Sequence, residues 1–414
     1  MKYDLIVVGG GPAGMLGAAT AGVNGLKVIL LEKNNKLGRK LLITGGGRCN
    51  VTNYCGFDDF QSNIVTNGKF LYSSLSAFNN YRLIELLHAL GVQTRVEEGN
   101  RVFPVSGKSG DVVQALSKYL QANKVEIKLN TEVKQILVRD GRVCGVLLRD
   151  NSRVPGRGVL IATGGMSYRQ TGSTGDGYRM ARALGHSIVE PRPALVPLEI
   201  AEQWVKELQG VALKNVKVQV LVKNRVWVER LGELLFTHFG VSGPVILSIS
   251  SFLNIKGAAN EVTLNIDLEP ALSKEQINHR LLEDFKLRSG KHLKNVLDDW
   301  LPRKMLPVIL RLSGVDMHKQ VDQVTRAERE RLAQTLKNVG LTVKGTRPLN
   351  EAIVTGGGVN TREINPSTLE SKIVKGLYFA GEVLDVDALT GGYNLQIAFS
   401  TGYLSGLSAA REPS

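Results

Sequence analysis

Residues 3–32 constrain this chain more than any other stretch. Tyr3–Val8 is a short apolar run, Gly9-Gly10-Gly11-Pro12-Ala13-Gly14 follows, and small residues continue to about Asn24. A second apolar run, Val28–Leu31, ends at Glu32, 21 positions after Gly11. The spacing predicts strand, tight turn, helix and parallel strand, the unit that cradles a dinucleotide. Each residue has a physical task in that unit. Gly9 permits the turn, Gly11 lets the backbone approach a pyrophosphate, and Gly14 allows the helix to pack closely on the strand. Glu32 can accept hydrogen bonds from an adenosine ribose, and Pro12 suits a first helical turn where no amide hydrogen is needed.

The chain has 414 residues, of which 43% are hydrophobic, which predicts two or three domains and argues against disorder. Glycine is enriched at about 11% against a usual ~7%, without the period of a collagen. Three cysteines, Cys49, Cys55 and Cys144, are too few for a disulfide scaffold and point to a reducing compartment. No stretch reads as a membrane span, and the N-terminal apolar run breaks at the triple glycine, so a cytoplasmic protein without a signal peptide is expected. The net charge is +14. That excess is either a solvated surface or an attraction to phosphates.

Texture changes along the chain predict its organisation. Leu83–Leu90 and Val112–Leu120 read as helices, Val125–Leu129, Val143–Leu148 and Arg157–Thr163 as strands. Beyond residue 195, alternating valines and leucines predict half-buried antiparallel strands. Ser273 with Gln276 and Thr325 with Glu328 read as capping boxes opening helices. Glycine-rich α/β character returns after residue 350, with a strand Ala352–Thr355 running into Gly356–Gly358 and a long apolar helix from about Leu395 to Ala409. The expected domains are residues 1–194 and 351–414 for nucleotide binding, a β-rich insertion at 195–270 closed by about 341–350, and a helical insertion at 271–340. Residues 271–350 hold 16 basic and 9 acidic residues, net +7, while 196–270 are nearly neutral.

Further glycine clusters at 45–47, 164–165, 356–358 and 391–392 suggest several loops closing on one large flat cofactor, with FAD the natural candidate. Longer motifs sharpen this: GGGPAG at 9–14, LGRK at 37–40, TGGGRCNVTN at 44–53, ATGG at 162–165, TGSTGDGY at 171–178, FTHFGVSGP at 236–244, TGGG at 355–358, and GLYFAGEVLDVDALTGGYNLQIAFSTG at 376–402. Over nearly its full length the chain resembles the flavoprotein family named after YhiN and BaiN, whose members are also called NAD(FAD)-utilising dehydrogenases or aminoacetone-oxidase-like FAD enzymes.

The resemblance implies an α/β fold. Its core is a Rossmann-like FAD-binding domain of the two-dinucleotide-binding flavoprotein type, with an inserted β-barrel-like domain and a small helical domain. It implies that Gly9, Gly11, Pro12, Ala13 and Gly14 hold the pyrophosphate, with Glu32 at the adenosine ribose, Lys33 beside it among the cofactor-binding residues, and Val133 offering main-chain contacts to adenine. Arg39, Lys40, Leu41, Thr44, Gly45, Gly46, Gly47, Arg48, Cys49 and Asn50 would lie along the cofactor, as would Thr163, Gly164 and Gly165. Gly381, Glu382 and Asp385 would approach the ribityl–phosphate region, and Gly391, Gly392, Tyr393, Asn394 and Leu395 the flavin ring. First-turn amides there, with the positive end of the helix dipole, suit the negative charge of a reduced flavin.

The substrate side offers three catalytic candidates. Cys49 is a redox residue or a packed one, Arg48 an anion anchor or a structural ion pair, and His238 a proton donor or a satisfied turn histidine. No metal-ligand spacing is present. A single GxGxxG and no CxxC imply that NADH or NADPH, if it is the donor, reaches the flavin only transiently. The leading expectation is an FAD-dependent oxidoreductase taking hydride from a nicotinamide donor and acting on a small molecule. The alternatives are reduction of a uridine in ribosomal RNA, docked by the basic 271–350 segment, and a non-catalytic flavin-bound RNA-associated module. The resemblance spans bile-acid intermediates, aminoacetone and ribosomal RNA as substrates. No membrane partner is expected.

Overall fold

The computed structural model describes residues 2–253 and 262–411. The chain divides into two compact units, Met1–Ala194 with Pro348–Ser414, and Leu195–Arg347.

The first unit is built on a seven-stranded sheet. Glu126–Lys128, Val28–Leu31, Tyr3–Val8 and Arg153–Ile161 lie side by side and parallel. Tyr3–Val8, Val28–Leu31 and the last residues of Arg153–Ile161 are near-continuously apolar, as burial on both faces requires, while Glu126–Lys128 is a polar edge. Arg153–Ile161 then branches. Its first half pairs antiparallel with Arg142–Leu148, which pairs with Val133–Arg139, and its last residues pair parallel with Leu377–Phe379. The register sets Val8 against both Leu31 and Ile161, so Gly9, Glu32 and Ala162 emerge together at the carboxyl ends of the strands. Ligands of open α/β sheets bind at that edge.

Helix Pro12–Val23 crosses the last helix, Tyr393–Arg411, at backbone distance: a methyl on Gly402 would sit 2.2 Å from the Ala13 carbonyl oxygen. The last helix starts two residues before the expected Leu395, and its buried face is not simply apolar. Gln396 accepts from the Thr52 hydroxyl (2.7 Å), while its amide nitrogen and the Ser400 hydroxyl both donate to the Phe78 carbonyl (3.1 and 2.6 Å). Polar groups buried this way are tolerated because each finds a partner.

The glycine run at 356–358 also departs from expectation. It is not a turn after a strand but the middle of one, Val354–Val359, fully buried and antiparallel to Ile188–Ala194 with a bulge between Val189 and Arg192. Positive φ at Gly357 (81°) and Gly358 (141°) bends the strand in a way that side-chain-bearing residues rarely allow.

A buried Ser–His–Glu arrangement sits nearby. His186 Nε2 is 2.9 Å from the Ser371 hydroxyl and Nδ1 is 3.2 Å from Glu363. Ser371 also accepts from the Ile373 and Val374 amides (3.0 and 2.9 Å), so the serine is a clasp for the chain and has no open face for substrate. Burial holds the His186 pKa below its ordinary value, with Glu363 opposing. Below the ordinary histidine range the unfolded chain therefore takes up a proton that native His186 refuses, and stability falls as pH drops. Urea titrations from pH 7 to 5 should show this slope and lose part of it in His186→Asn; an unchanged slope in the variant would contradict the assignment.

The second unit is a closed six-stranded barrel: Leu198–Ile200, Gly240–Ser242, Arg225–Phe236, Ala212–Val222, Val262–Asp267 and Val339–Thr346, which returns to the first. Between its last two strands come helices Lys274–Leu287, Leu306–Ser313 and Arg326–Lys337. Both capping boxes form, on Ser273 and Thr325. The helices do not make a core of their own. Ile277, Leu281, Leu332 and Leu336 share one apolar cluster with Leu264 and Ile266 of the barrel. Among the described residues no helix is long and apolar enough to cross a membrane.

Candidate cofactor and active site

The first glycine turn is held from several sides. Gly9 has φ 107°, and a methyl there would meet the Ala162 carbonyl oxygen at 2.5 Å; one on Gly14 would lie 1.9 Å from the Gly9 carbonyl oxygen. Gly11 differs. Its backbone is extended (φ −80°, ψ −176°), and no described atom lies within 4 Å of where its Cβ would be. One face of the turn is therefore open at the start of helix Pro12–Val23, whose first amides have no intrahelical acceptor. Glu32 is buried and accepts from the Gly10 amide (2.7 Å) and from the Asn34 amide and side chain (2.8 and 2.6 Å). Arg39 supports Asn34 by donating to its side-chain oxygen (2.8 Å). The Thr131 amide donates to the Glu32 carbonyl (2.9 Å), which brings buried Val133 to the same edge. Lys33 is not brought to this carboxylate, because its ammonium pairs with Asp176 (2.6 Å) and donates to Thr174 (2.6 Å).

The segment after Leu41, itself a core residue, carries a second open turn. Gly45, Gly46 and Gly47 are all left-handed (57°, 66° and 86°), and a methyl on Gly46 would meet no described atom within 4 Å. Successive amides in such a turn form an anion-binding concavity. Thr44 closes its start by donating from its hydroxyl to the Leu41 carbonyl (2.7 Å).

For two of the catalytic candidates the geometry favours the structural one of the two expected roles. Cys49 is fully buried in the apolar core and burial pushes its thiol up to about 12, so it stays a protonated packing group rather than a nucleophile. Cys49→Ala is accordingly expected to leave the rate of flavin reduction within about twofold while lowering stability by about 1 kcal/mol; rapid-mixing kinetics and thermal melting check both. Arg48 forms an ion pair with Glu97, holds that carboxyl below its usual range, and covers the Phe103 ring at 4.2 Å. Its guanidinium is committed to the protein. The third candidate, His238, is exposed in the second unit, edge-on to Phe239 at 4.9 Å.

A polar network ties three distant segments together. Lys40 pairs with Glu382 (2.7 Å) and donates to the Ser167 hydroxyl (2.6 Å). Glu382 also accepts from the Thr355 amide (2.8 Å) and from Ser167 (3.1 Å), and the Thr355 hydroxyl accepts from the Met166 and Ser167 amides (2.8 and 3.0 Å). Gly165 packs against this knot, where a methyl would come within 2.4 Å of Thr355 Oγ1. The left-handed turn at Gly164 (72°) leads into it from Thr163. Gly381 donates its amide to Thr401 (2.9 Å) and faces Ala13. Gly391 and Gly392 (124° and 99°) bring the chain onto Thr52 and Asn53. Asn394 works inside its own loop, accepting from the Ala388 amide (3.0 Å) and donating back to the Ala388 carbonyl (2.8 Å). Tyr393 is buried edge-on to Phe60, and Leu395 is half-buried two residues further on. Ser167, Thr355, Gln396, Arg192 and Asp387 were not singled out in the sequence, although Thr355, Gln396 and Asp387 stand inside motifs that were; Ser167 and Arg192 lie outside them.

The residues present fit FAD. Open amide-lined turns at Gly11 and Gly45–Gly47 suit phosphates, Glu32 suits a ribose, and Asn50 Oδ1, Thr163 Oγ1 and Asp385 Oδ1 are buried without a partner among the described residues. Fold and constellation together define a Rossmann-type FAD-binding oxidoreductase. The chain belongs to the HI0933-like family, whose model, described as the HI0933-like protein Rossmann domain, matches residues 3–408. It is 32% identical over 412 residues to a 3-dehydro-bile acid delta(4,6)-reductase of Clostridium scindens, covering 98% of this chain and 99% of that one. It is 32% identical over 416 residues to a ribosomal RNA dihydrouridine synthase of Haemophilus influenzae, covering 98% of each. Among solved structures, a 3-ketosteroid-delta4-(5alpha)-dehydrogenase from Rhodococcus jostii RHA1 aligns over 99% of this chain and 97% of that one, with TM-score 0.52 and 16% identity. At that identity it speaks for the fold alone.

Proposed function

We infer that this protein is an FAD-dependent reductase that takes hydride from a nicotinamide donor and saturates a carbon–carbon double bond conjugated to a carbonyl. One observation carries the reading. The two whole-length relatives differ greatly in the size of what their names describe, a bile acid and a ribosomal RNA, yet both names describe loss of such a double bond. Bound FAD would supply two-electron exchange between donor and substrate. The chain's residues would hold it: the Gly11 and Gly45–Gly47 turns at its phosphates, Glu32 at its ribose, and the first turn of Tyr393–Arg411 at its ring. That helix end favours negative charge. Cys49 is buried as a thiol, so the reaction would proceed without it as a nucleophile.

Ribosomal RNA is the second reading of the substrate, favoured by the synthase relative and by exposed Lys274, Lys286 and Lys291 on the helical segment. Other basic residues there are less available. Arg288 pairs with Asp299, Arg311 with Glu207 (2.9 Å), and Arg280 stacks on Trp300 at 4.3 Å. Binding of a ribosomal RNA fragment should therefore weaken with salt, but with fewer effective charges than the count of lysines and arginines suggests.

The test is anaerobic. NADH or NADPH should bleach the flavin absorbance, and a uridine-containing RNA fragment or a cyclic enone should restore it with a product two hydrogens heavier. A flavin that neither nucleotide reduces would sink the nicotinamide reading and favour the binding module. Restoration by oxygen but by no alkene would sink the reductase reading.

A further inference from the structure

Exposed aromatic side chains are concentrated in one part of the first unit. Among the described residues five are exposed: Tyr54 (49%), Phe57 (36%), Tyr72 (61%), Tyr81 (40%) and Trp227 (48%). The first four come from residues 54–81 and pair up there. Tyr54 meets Tyr81 edge-on at 5.2 Å, and Phe57 meets Tyr72 edge-on at 5.3 Å. The Tyr81 hydroxyl donates to the carbonyl of Cys55 (3.3 Å), which lies between Tyr54 and Phe57 in the chain. Buried Asn80 fixes the same stretch from inside, donating to the Asn53 and Cys55 carbonyls (2.7 and 2.9 Å). Tyr54 and Tyr81 therefore stand on a backbone that is already in place, which lowers the cost of ordering them against a partner.

With ~200 Å² for a whole aromatic side chain, the exposed parts of these four amount to roughly 370 Å². A stable pair of proteins covers about 800 Å² on each partner, an aromatic centre within a polar rim. The rings supply such a centre, and the chain beside them supplies charges of both signs. Asp58 and Asp59 follow Phe57, Lys69 stands three residues before Tyr72, and Arg82 follows Tyr81. All four are exposed, and none forms an ion pair with another described residue. No other charged residue occurs between 54 and 82, so this stretch is neutral in a chain of net charge +14. We propose that it is the interface of a homodimer, in which a two-fold axis sets the aromatic patch of one protomer on that of its partner. Such a contact uses the same surface on both sides, so each copy's aspartates meet the other's cations and both signs are matched twice. Neutrality counts here, because two copies of a strongly basic chain repel one another elsewhere. Nucleic acid is the poorer occupant, since Asp58 and Asp59 would face its phosphates. The inference does not depend on which substrate the flavin reduces.

Charge reversal separates this interface from a failure to fold. One variant carries Asp58→Lys with Asp59→Lys, the other Lys69→Glu with Arg82→Glu, and both keep the aromatic rings. Sedimentation velocity of the FAD-loaded full chain, from micromolar to hundred-micromolar concentration, should show a dimer for the unaltered protein. Each variant alone should dissociate at least tenfold more readily. Mixing the two should restore the dimer, because a cationic rim then meets an anionic one. Tyr72→Arg, a change at the most exposed of the four rings, should also weaken the dimer at least tenfold and does not rely on the reversals folding. The proposal is overturned if the unaltered chain stays monomeric throughout, or if Tyr72→Arg dimerises as the unaltered protein does. It is equally overturned if the mixture stays monomeric although both reversal variants retain FAD. A monomer whose Tyr72→Arg variant loses binding to a ribosomal RNA fragment would give the surface to nucleic acid instead.

Discussion

Gly14→Ala is expected to destabilise the flavin-binding unit with or without FAD, whereas Gly11→Ala is expected to leave the apo-protein intact and weaken its hold on the cofactor. The two glycines are three residues apart in one turn, yet they meet different surroundings. A methyl on Gly14 would lie 1.9 Å from the Gly9 carbonyl oxygen, a backbone atom that is itself fixed against Ala162. Relief requires the helix to move off the sheet, where it also packs on Gly402 and Gly406. Overpacking of this kind costs about 3 kcal/mol, which for a unit of this size lowers the melting temperature by roughly 6–12 °C. On Gly11 the methyl meets no described atom within 4 Å, and φ −80° is comfortable for alanine. There the methyl occupies space that a phosphate needs to reach the helix amides. Affinity for FAD should fall by about 30-fold, or ~2 kcal/mol. Melting of apo-protein and FAD titration separate the two effects. If Gly11→Ala bound FAD normally, the pyrophosphate assignment of this turn would fail.

That contrast marks what the sequence carried and what it did not. Local patterns were legible. Tyr3–Val8 and Val28–Leu31 have the bounds expected from their apolar runs, and Ser273 and Thr325 cap their helices, because periodicity and capping act within a few residues. The Rossmann class followed from the same local spacing. Non-local pairing was not legible. Gly356–Gly358 look like a turn, and only their pairing with Ile188–Ala194 makes them a strand. Arg192 and Asp387 lie far apart in sequence and meet through that strand and through Thr66. Ion pairs were equally hidden. Lys33 and Arg48 stand in motifs expected to line a cofactor, yet Asp176 and Glu97, on other segments, hold their charged ends. Residue type announced a charge in each case, but the partner that used it came from elsewhere in the chain.

Lys40 and Glu382 should behave as one unit, and a double-mutant cycle can show it. Their side chains are 22% and 20% exposed, so water screens the pair only partly. Glu382 also satisfies the Thr355 amide and the Ser167 hydroxyl, and Lys40 reaches the same Ser167 oxygen. Glu382→Ala would leave an ammonium and an amide short of acceptors in a half-closed site, while the Ser167 hydroxyl keeps the Ile353 carbonyl (3.2 Å). That loss is expected to be about 3 kcal/mol, the low end for breaking a buried pair. Lys40→Met leaves a carboxylate that keeps two other donors, and about 2 kcal/mol is expected. The double variant removes both charges and should lose about 1–2 kcal/mol less than the two single losses together, since residues within one network do not act independently. Denaturant unfolding of the apo-forms measures the cycle without interference from bound FAD. Additivity within about 0.3 kcal/mol would mean that the ion pair joins the segments around residues 40, 167, 355 and 382 in geometry only, and that their alignment rests on the strand pairing alone.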